Sequence, residues 1–306
     1  MSYLGDLTMR LAGGAMRLEE DLRARHAEFF RAAQTAEGGF AGRRGGGDLY
    51  YTGFGLRGLA LLGMLDEPVA GRAAGFLQTR LEPTPPIVDF LSLVYSAVLL
   101  EMMAGIDVFA ADGLQRGQAI EAAVAPYRCD DGGYAKKAGG RHSSTYHTFL
   151  VALCRELAGM PPADRQATRE LVRSRRRPDG GFVELAPLKQ GATNPTAAAV
   201  SLLLLQEDLD AQTAAAAARF LAGMQGVEGG LRANTLIPAA DLLSTFTGLV
   251  TLGDLKRLDR IDAAAARAYA LSLEQPDGGF RGGVWDDVAD VEYTFYGVGT
   301  LALLDG

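Results

Sequence analysis

The densest acidic run in the chain, Asp286-Asp287-Val288-Ala289-Asp290, spaces three carboxylates as DDxxD in a stretch that reads as a loop. Hard oxygen donors of this kind suit Mg²⁺ and let it bridge to phosphate, so magnesium is the expected cation. Directly after it stand Glu292 and Tyr293, and Asp241 stands earlier with Ser244 and Thr245. Carboxyl and phenol groups can act as general acids or bases where burial tunes them. A basic segment, Arg141-His142-Ser143-Ser144-Thr145-Tyr146-His147, lies near Lys136 and Lys137. It suits a phosphate or is simply a solvated loop. Tyr50, Tyr51, Asp89, Asn194 and Tyr296 add further polar groups. Several have a plainer reading, since Asp, Asn and Ser are preferred helix N-caps and Asn194-Pro195 reads as a cap followed by proline at the first helical position. Tyr296, with Phe246, Phe295, Met102 and Met103, has the helical spacing of core packing or of a funnel for a lipid chain.

These residues share a position in a repeat. Gly-Gly followed by an aromatic or leucine recurs at Gly38-Gly39-Phe40, Gly132-Gly133-Tyr134, Gly180-Gly181-Phe182, Gly229-Gly230-Leu231 and Gly278-Gly279-Phe280. The first glycines fall 94, 48, 49 and 49 residues apart. The long interval holds a degenerate copy, supplied by the apolar segment Val88–Met103, which makes about six units of helix, glycine turn, loop and second helix. First helices such as 164–177 and 262–274 carry charge, whereas second helices such as 146–157, 196–206, 242–252 and 292–304 are nearly uncharged. Charged helices belong outside and apolar ones inside. Glycine serves a turn at the helix end that needs positive φ. The expected fold is therefore all-α, an α6/α6 (α/α) barrel over residues 34–306 after a helical segment 1–33, in one domain around a central cavity. An open solenoid is the alternative. In the barrel, the polar groups that start each inner helix gather at one rim, where aligned N-termini favour an anion.

Composition narrows the partners. A formal charge of −7 leaves no basic field for nucleic acid, so none is expected. Two cysteines, Cys129 and Cys154, without CxxC spacing exclude a disulfide framework and point to a reducing, cytoplasmic setting. Cys154 lies in an apolar run and is expected to be buried. No secretory leader pattern and no apolar stretch of about twenty residues is evident, so no transmembrane segment is expected. His26 sits among Glu19, Glu20 and Arg23 and is expected at the surface.

Gln34-Thr-Ala-Glu-Gly-Gly-Phe40, Asp131-Gly-Gly-Tyr134, Pro178-Asp-Gly-Gly-Phe182 and Gln275-Pro-Asp-Gly-Gly-Phe280 resemble the repeats of protein prenyltransferase β subunits and of squalene and oxidosqualene cyclases. The resemblance covers nearly everything from Gln34 onward. It implies an α6/α6 barrel whose aromatic funnel holds an isoprenoid chain. The C-terminal stretch Asp290–Leu304 is most similar to the prenyltransferases, and it lays the family's zinc-ligand histidine on Tyr293 and its Asp-x-Cys pair on Asp241-Leu242-Leu243. One of three ligands survives, and a single carboxylate does not hold zinc, so no zinc is expected. The diphosphate-binding loop falls on Arg232-Ala233-Asn234, with Thr235 where the family carries lysine. DDxxD is also the spacing by which class I terpene synthases hold magnesium, although they carry it on a helix of another fold.

The resemblance implies an isoprenoid diphosphate as substrate and transfer of its prenyl group. Arg141, His142, His147, Arg232, Asn194, Tyr51 and Tyr296 would bind substrate, Asp286, Asp287 and Asp290 would hold Mg²⁺, and Asp241, Glu292 and Tyr293 would act as acid, base or acceptor-orienting groups. A class II-type terpene cyclase is the alternative, although the chain lacks that class's DxDD motif. A non-catalytic barrel for another lipid or a protein is the third. Prenyltransferase β subunits pair with a helical α subunit, so a similar partner or a homodimer is implied.

Overall fold

The computed structural model describes residues 3–80, 86–109 and 113–305. In chain order the α-helices are α1 (Tyr3–Ala15), α2 (Glu20–Ala32), α3 (Leu49–Leu61), α4 (Glu67–Gln78), α5 (Ile87–Ala104), α6 (Gly113–Val124), α7 (Thr145–Leu157), α8 (Arg165–Arg175), α9 (Thr193–Leu205), α10 (Ala211–Ala222), α11 (Leu242–Asp254), α12 (Ala263–Ser272) and α13 (Val291–Leu304). The regular strands among the described residues are the two-residue pairs β1 (Phe40–Ala41) with β2 (Gly47–Asp48) and β3 (Tyr134–Ala135) with β4 (Ser143–Ser144), both antiparallel. The chain forms two compact units, Met1–Ala123 with Leu271–Gly306, and Val124–Ala270.

The Gly-Gly element is a closed turn rather than a helix cap. Helix α2 ends at Ala32, and the segment after it returns on itself through bridges that pair Gln34 with Phe40. The same bridge recurs as Arg128 with Tyr134, Arg176 with Phe182, Gln225 with Leu231 and Glu274 with Phe280. The first glycine takes φ between 82° and 96° at all five positions. At Gly180 and Gly229 a Cβ would also strike the backbone of the next charged helix, at Ala216 and Ala265. Positive φ and close approach together restrict the position to glycine.

A buried threonine locks each turn to the following apolar helix. The backbone N–H groups of Phe40, Tyr134, Phe182, Leu231 and Phe280 donate to Oγ1 of Thr52, Thr148, Thr196, Thr245 and Thr294 at 2.9–3.1 Å. Four of those hydroxyls donate in turn to the carbonyl four residues back, in the first helical turn. The threonine thus satisfies a strand-side N–H that burial would otherwise leave orphaned.

In the first unit α3 packs between α5 and α13, with α4 behind α5 and α2 behind α3 and α13. The turn of the last repeat seats on α2, where Gly278 meets Arg25 and Gly279 meets the Phe29 ring. Within this unit the C-terminal repeat therefore docks on the N-terminal one. Helix α1 crosses α13 and α3, with Gly14 against the backbone of Ala302 and the Thr8 hydroxyl 2.8 Å from that of Tyr95. In the second unit α9 packs between α7 and α11, with α8 and α10 on the α9 side.

One expectation changes here. His26 is fully buried, stacked on Phe280, and its Nδ1 accepts from the N–H of Gly279, so the amphipathic segment turns this residue inward. Burial lowers its pKa to about 4 against the opposing charge of Glu274. Helix α5 is also, by length and composition, long and apolar enough to cross a membrane, and half of it is buried inside the protein. Both cysteines are buried free thiols.

Candidate functional site

The first unit assembles a cluster where α3, α5 and α13 meet. Asp48 and Asp290 cap α3 and α13, accepting from the N–H of Tyr51 and Tyr293. The caps set the helix starts, and so place Tyr50 and Glu292 in the first turn of α3 and of α13, facing each other. The Tyr50 hydroxyl donates to Glu292 Oε1 at 2.6 Å. Burial pushes the Glu292 pKa up and the Asp290 charge adds to this, while hydrogen bonds from Tyr50 and Tyr296 and the charge of Arg57 oppose it. Tyr51 is likewise raised by burial and by the charges of Asp290 and Glu292.

Aromatic rings continue inward from this carboxyl. Tyr50 meets Phe54 edge-on at 5.0 Å, and Phe54 meets Phe295 at 5.6 Å and Tyr296 at 5.4 Å. Tyr293 lies 6.1 Å from Tyr296. On α3 the stripe is Tyr50, Phe54 and Arg57, and on α13 it is Glu292, Phe295 and Tyr296, the i, i+3, i+4 spacing of one helix face.

Two carboxylates of the DDxxD segment are engaged by an arginine. Arg43, in the glycine-rich loop between β1 and β2, binds Asp286 through both Nη atoms and Asp290 through Nε at 2.7 Å. Its guanidinium also lies 5.5 Å from the Tyr293 ring centre. Burial works against the Arg43 charge, but the two carboxylates outweigh it and raise its pKa. Burial alone would raise Asp286, yet Arg43 and the N–H groups of Gly282 and Val288 hold it below the ordinary carboxylate range. Asp287 is exposed. Among the described residues no three His, Cys, Asp or Glu side chains converge on one point. The donors of Asp286 and Asp290 are already taken by a guanidinium, so this arrangement does not fit Mg²⁺. Zinc fits no better, since Asp241 is a cap and Leu243 and Tyr293 bring neither thiolate nor imidazole.

The second unit holds the other expected site residues in structural roles. Asp241 caps α11, accepting from the Ser244 N–H at 2.7 Å and from its hydroxyl at 2.8 Å, while burial raises its pKa. Asn194 lies inside the first turn of α9, not at its cap, because Ala192 precedes the helix and Thr193 begins it. Its Oδ1 accepts from Thr247 at 2.6 Å. Arg232 turns back to the carbonyls of Met224 and Gly223, which close its own glycine turn. Arg141 and His142 are exposed in the loop before β4, whereas His147 is buried. His147 Nδ1 lies 2.7 Å from Ser144 Oγ, and the Ser144 hydroxyl donates to Glu184. With that hydrogen committed, His147 must donate from Nδ1. Burial, then Lys136, lower its pKa, which favours the neutral ring. This unit also has a small cleft of about 100 Å³ between α7, α8 and α9, lined by Tyr134, Arg155, Glu156 and Gln206.

Two residues of the first-unit cluster escape a reading by motif, Arg43 and Arg57. Arg57 did leave a signal, as the lone charge in the otherwise apolar helix α3. Arg43 left none, because its partners lie 243 and 247 residues away.

The prenyltransferase α/α-toroid domain profile matches residues 13–90 and 149–306, and the chain belongs to that family. No curated protein sequence matches. Among solved structures, Candida albicans protein geranylgeranyltransferase-I complexed with GGPP is similar at a TM-score of 0.69 and 14% identity, over 92% of this chain and 91% of that one. The type II terpene cyclase MstE from Scytonema, in complex with geranylgeranyl dihydroxybenzoate, gives 0.65 and 16%, over 98% and 99%. A protein from Actinoplanes gives 0.58 and 18%, over 93% and 98%. At these identities the likeness carries the fold, an all-α toroid shared by prenyltransferases and terpene cyclases.

Proposed function

We propose that this chain binds an isoprenoid diphosphate against the aromatic rings of α3 and α13 and transfers its prenyl group, with Glu292 moving the proton. The observation that carries the reading is the Glu292 carboxyl, desolvated and bonded by the hydroxyls of Tyr50 and Tyr296, whose rings both pack on Phe54. A carboxyl in such a setting stays protonated further toward neutral pH than one in water. In the proposed step the allylic C–O bond breaks and its electron pair leaves with the diphosphate, which takes the Glu292 proton. The aromatic faces stabilise the allylic cation. An acceptor X–H then forms the new bond to carbon and returns its proton to the Glu292 carboxylate. The test is pyrophosphate release from geranylgeranyl diphosphate with candidate X–H acceptors, with Glu292→Gln losing at least about a hundredfold in rate, the lower end of general-acid effects. Release unchanged in Glu292→Gln would remove its role.

The same raised carboxyl favours one second reading, protonation of a terminal alkene to start a class II-type cyclisation. A cyclic product that keeps its head group would select it. A helical partner or a second copy is proposed from the family resemblance, and light scattering of the purified chain tests the second copy.

A further inference from the structure

Arg57 is held in an unusual way. Its Nε donates to the Gly53 carbonyl at 2.9 Å, one turn back on α3. Its guanidinium carbon lies 4.1 Å from the ring centre of Phe54, 4.8 Å from that of Phe295 and 5.4 Å from that of Tyr95. Rings from α3, α5 and α13 thus form a cradle around one cation. Tyr95 is fixed in turn by Thr8 of α1. Stacking uses the flat faces of a guanidinium and leaves its edge, where the Nη hydrogens point, free for hydrogen bonds. Among the described residues that edge has no hydrogen-bond or salt-bridge partner. The Glu292 carboxyl acts on it through charge and is itself pushed toward the neutral form. Arg57 is only partly buried, so the edge is reachable.

Arg43 provides the contrast within the same unit, since both of its edges are spent on Asp286 and Asp290. A cation oriented by three rings and left without an anion is a receptor for one. We propose that Arg57 is the seat of an oxyanion head group, taken bidentately by the Nη edge, and that it supplies the counter-charge which the DDxxD loop does not provide through a metal. The inference rests on the proposed handling of an isoprenoid with an acidic head. It places that head beside Glu292, where a proton is available. The shared chemistry is two oxygens of one anionic group, either a phosphate or a carboxylate.

The experiment is calorimetry on the full chain in EDTA, with inorganic pyrophosphate in one arm and dihydroxybenzoate in the other. Arg57→Met keeps a long apolar stem in the cradle and removes the charge, and Arg57→Lys keeps the charge but loses the planar fork. Exposed Arg165→Gln serves as the control. Expected is binding of at least one probe to the wild type, at least about tenfold weaker in Arg57→Met and intermediate in Arg57→Lys, with Arg165→Gln unchanged. The arm that responds identifies the head group. No binding of either probe to folded wild type, or equal binding to Arg57→Met, would overturn the assignment. Probe binding that depends on Arg57, without turnover of any isoprenoid diphosphate, would keep the anion seat and sink the proposed transferase instead.

Discussion

Replacing Arg43 with methionine removes one cation from between two carboxylates, and the structure sets how much that costs. The Asp290 side chain is 2% exposed and that of Asp286 13%, but Arg43 itself is 33% exposed. Breaking a fully buried pair costs about 3–5 kcal/mol and an exposed one about 0–1, so the mixed geometry points to ~2 kcal/mol. Asp290 keeps its cap to the Tyr293 N–H, which prevents a larger loss. The pH dependence has a defined sign. Asp286 is held below its ordinary pKa, so its contribution is present above the unfolded carboxylate range and fades as pH falls through the folded value. Urea unfolding should therefore show Arg43→Met less stable at pH 7, with the gap to wild type narrowing toward pH 3. A variant within about 0.5 kcal/mol of wild type at pH 7, or a gap that widens on acidification, would refute the reasoning.

Thr196→Val keeps the shape but orphans the buried Phe182 N–H, so a loss of about 1–3 kcal/mol in urea unfolding is expected, and Thr196→Ser should lose less. His26 is neutral in the folded state down to about pH 4, whereas in the unfolded chain it binds its proton near 6.5. The unfolded state binds more protons in that window, so stability falls as pH drops from about 6.5 to 4, by up to about 3 kcal/mol. A variant lacking the imidazole should show a flatter profile there by the same measurement. Asp287→Ala should leave isoprenoid diphosphate affinity in EDTA unchanged, because the exposed carboxylate takes no part in the Arg43 clamp.

Much of the fold was written locally. The Gly-Gly-aromatic spacing located the turns, and the uncharged helices located the inner layer, because both signals lie within one repeat. Asp241 and Asp290 were legible as caps for the same reason. The threonine fourteen residues after most of the aromatics was equally periodic, and only its hydrogen bond reveals its purpose. What failed was long-range pairing. DDxxD reads as a metal motif until Arg43 arrives from the other end of the chain, and Arg232 reads as a phosphate ligand until its guanidinium closes its own turn. His26 looked exposed because its neighbours are charged, while its ring alone faces Phe280.

The central claim is that the aromatic cluster of the first unit takes an isoprenoid with an anionic head and needs no divalent cation. Calorimetry of geranylgeranyl diphosphate against geranylgeraniol in EDTA tests it most directly. Hydrocarbon burial, at ~0.8 kcal/mol per CH₂, is common to both ligands, so only the head group separates them. The account predicts the diphosphate at least about tenfold tighter, or ~1.4 kcal/mol, with no gain on adding Mg²⁺. Equal affinity for the two, or a diphosphate affinity that appears only with Mg²⁺, would contradict it.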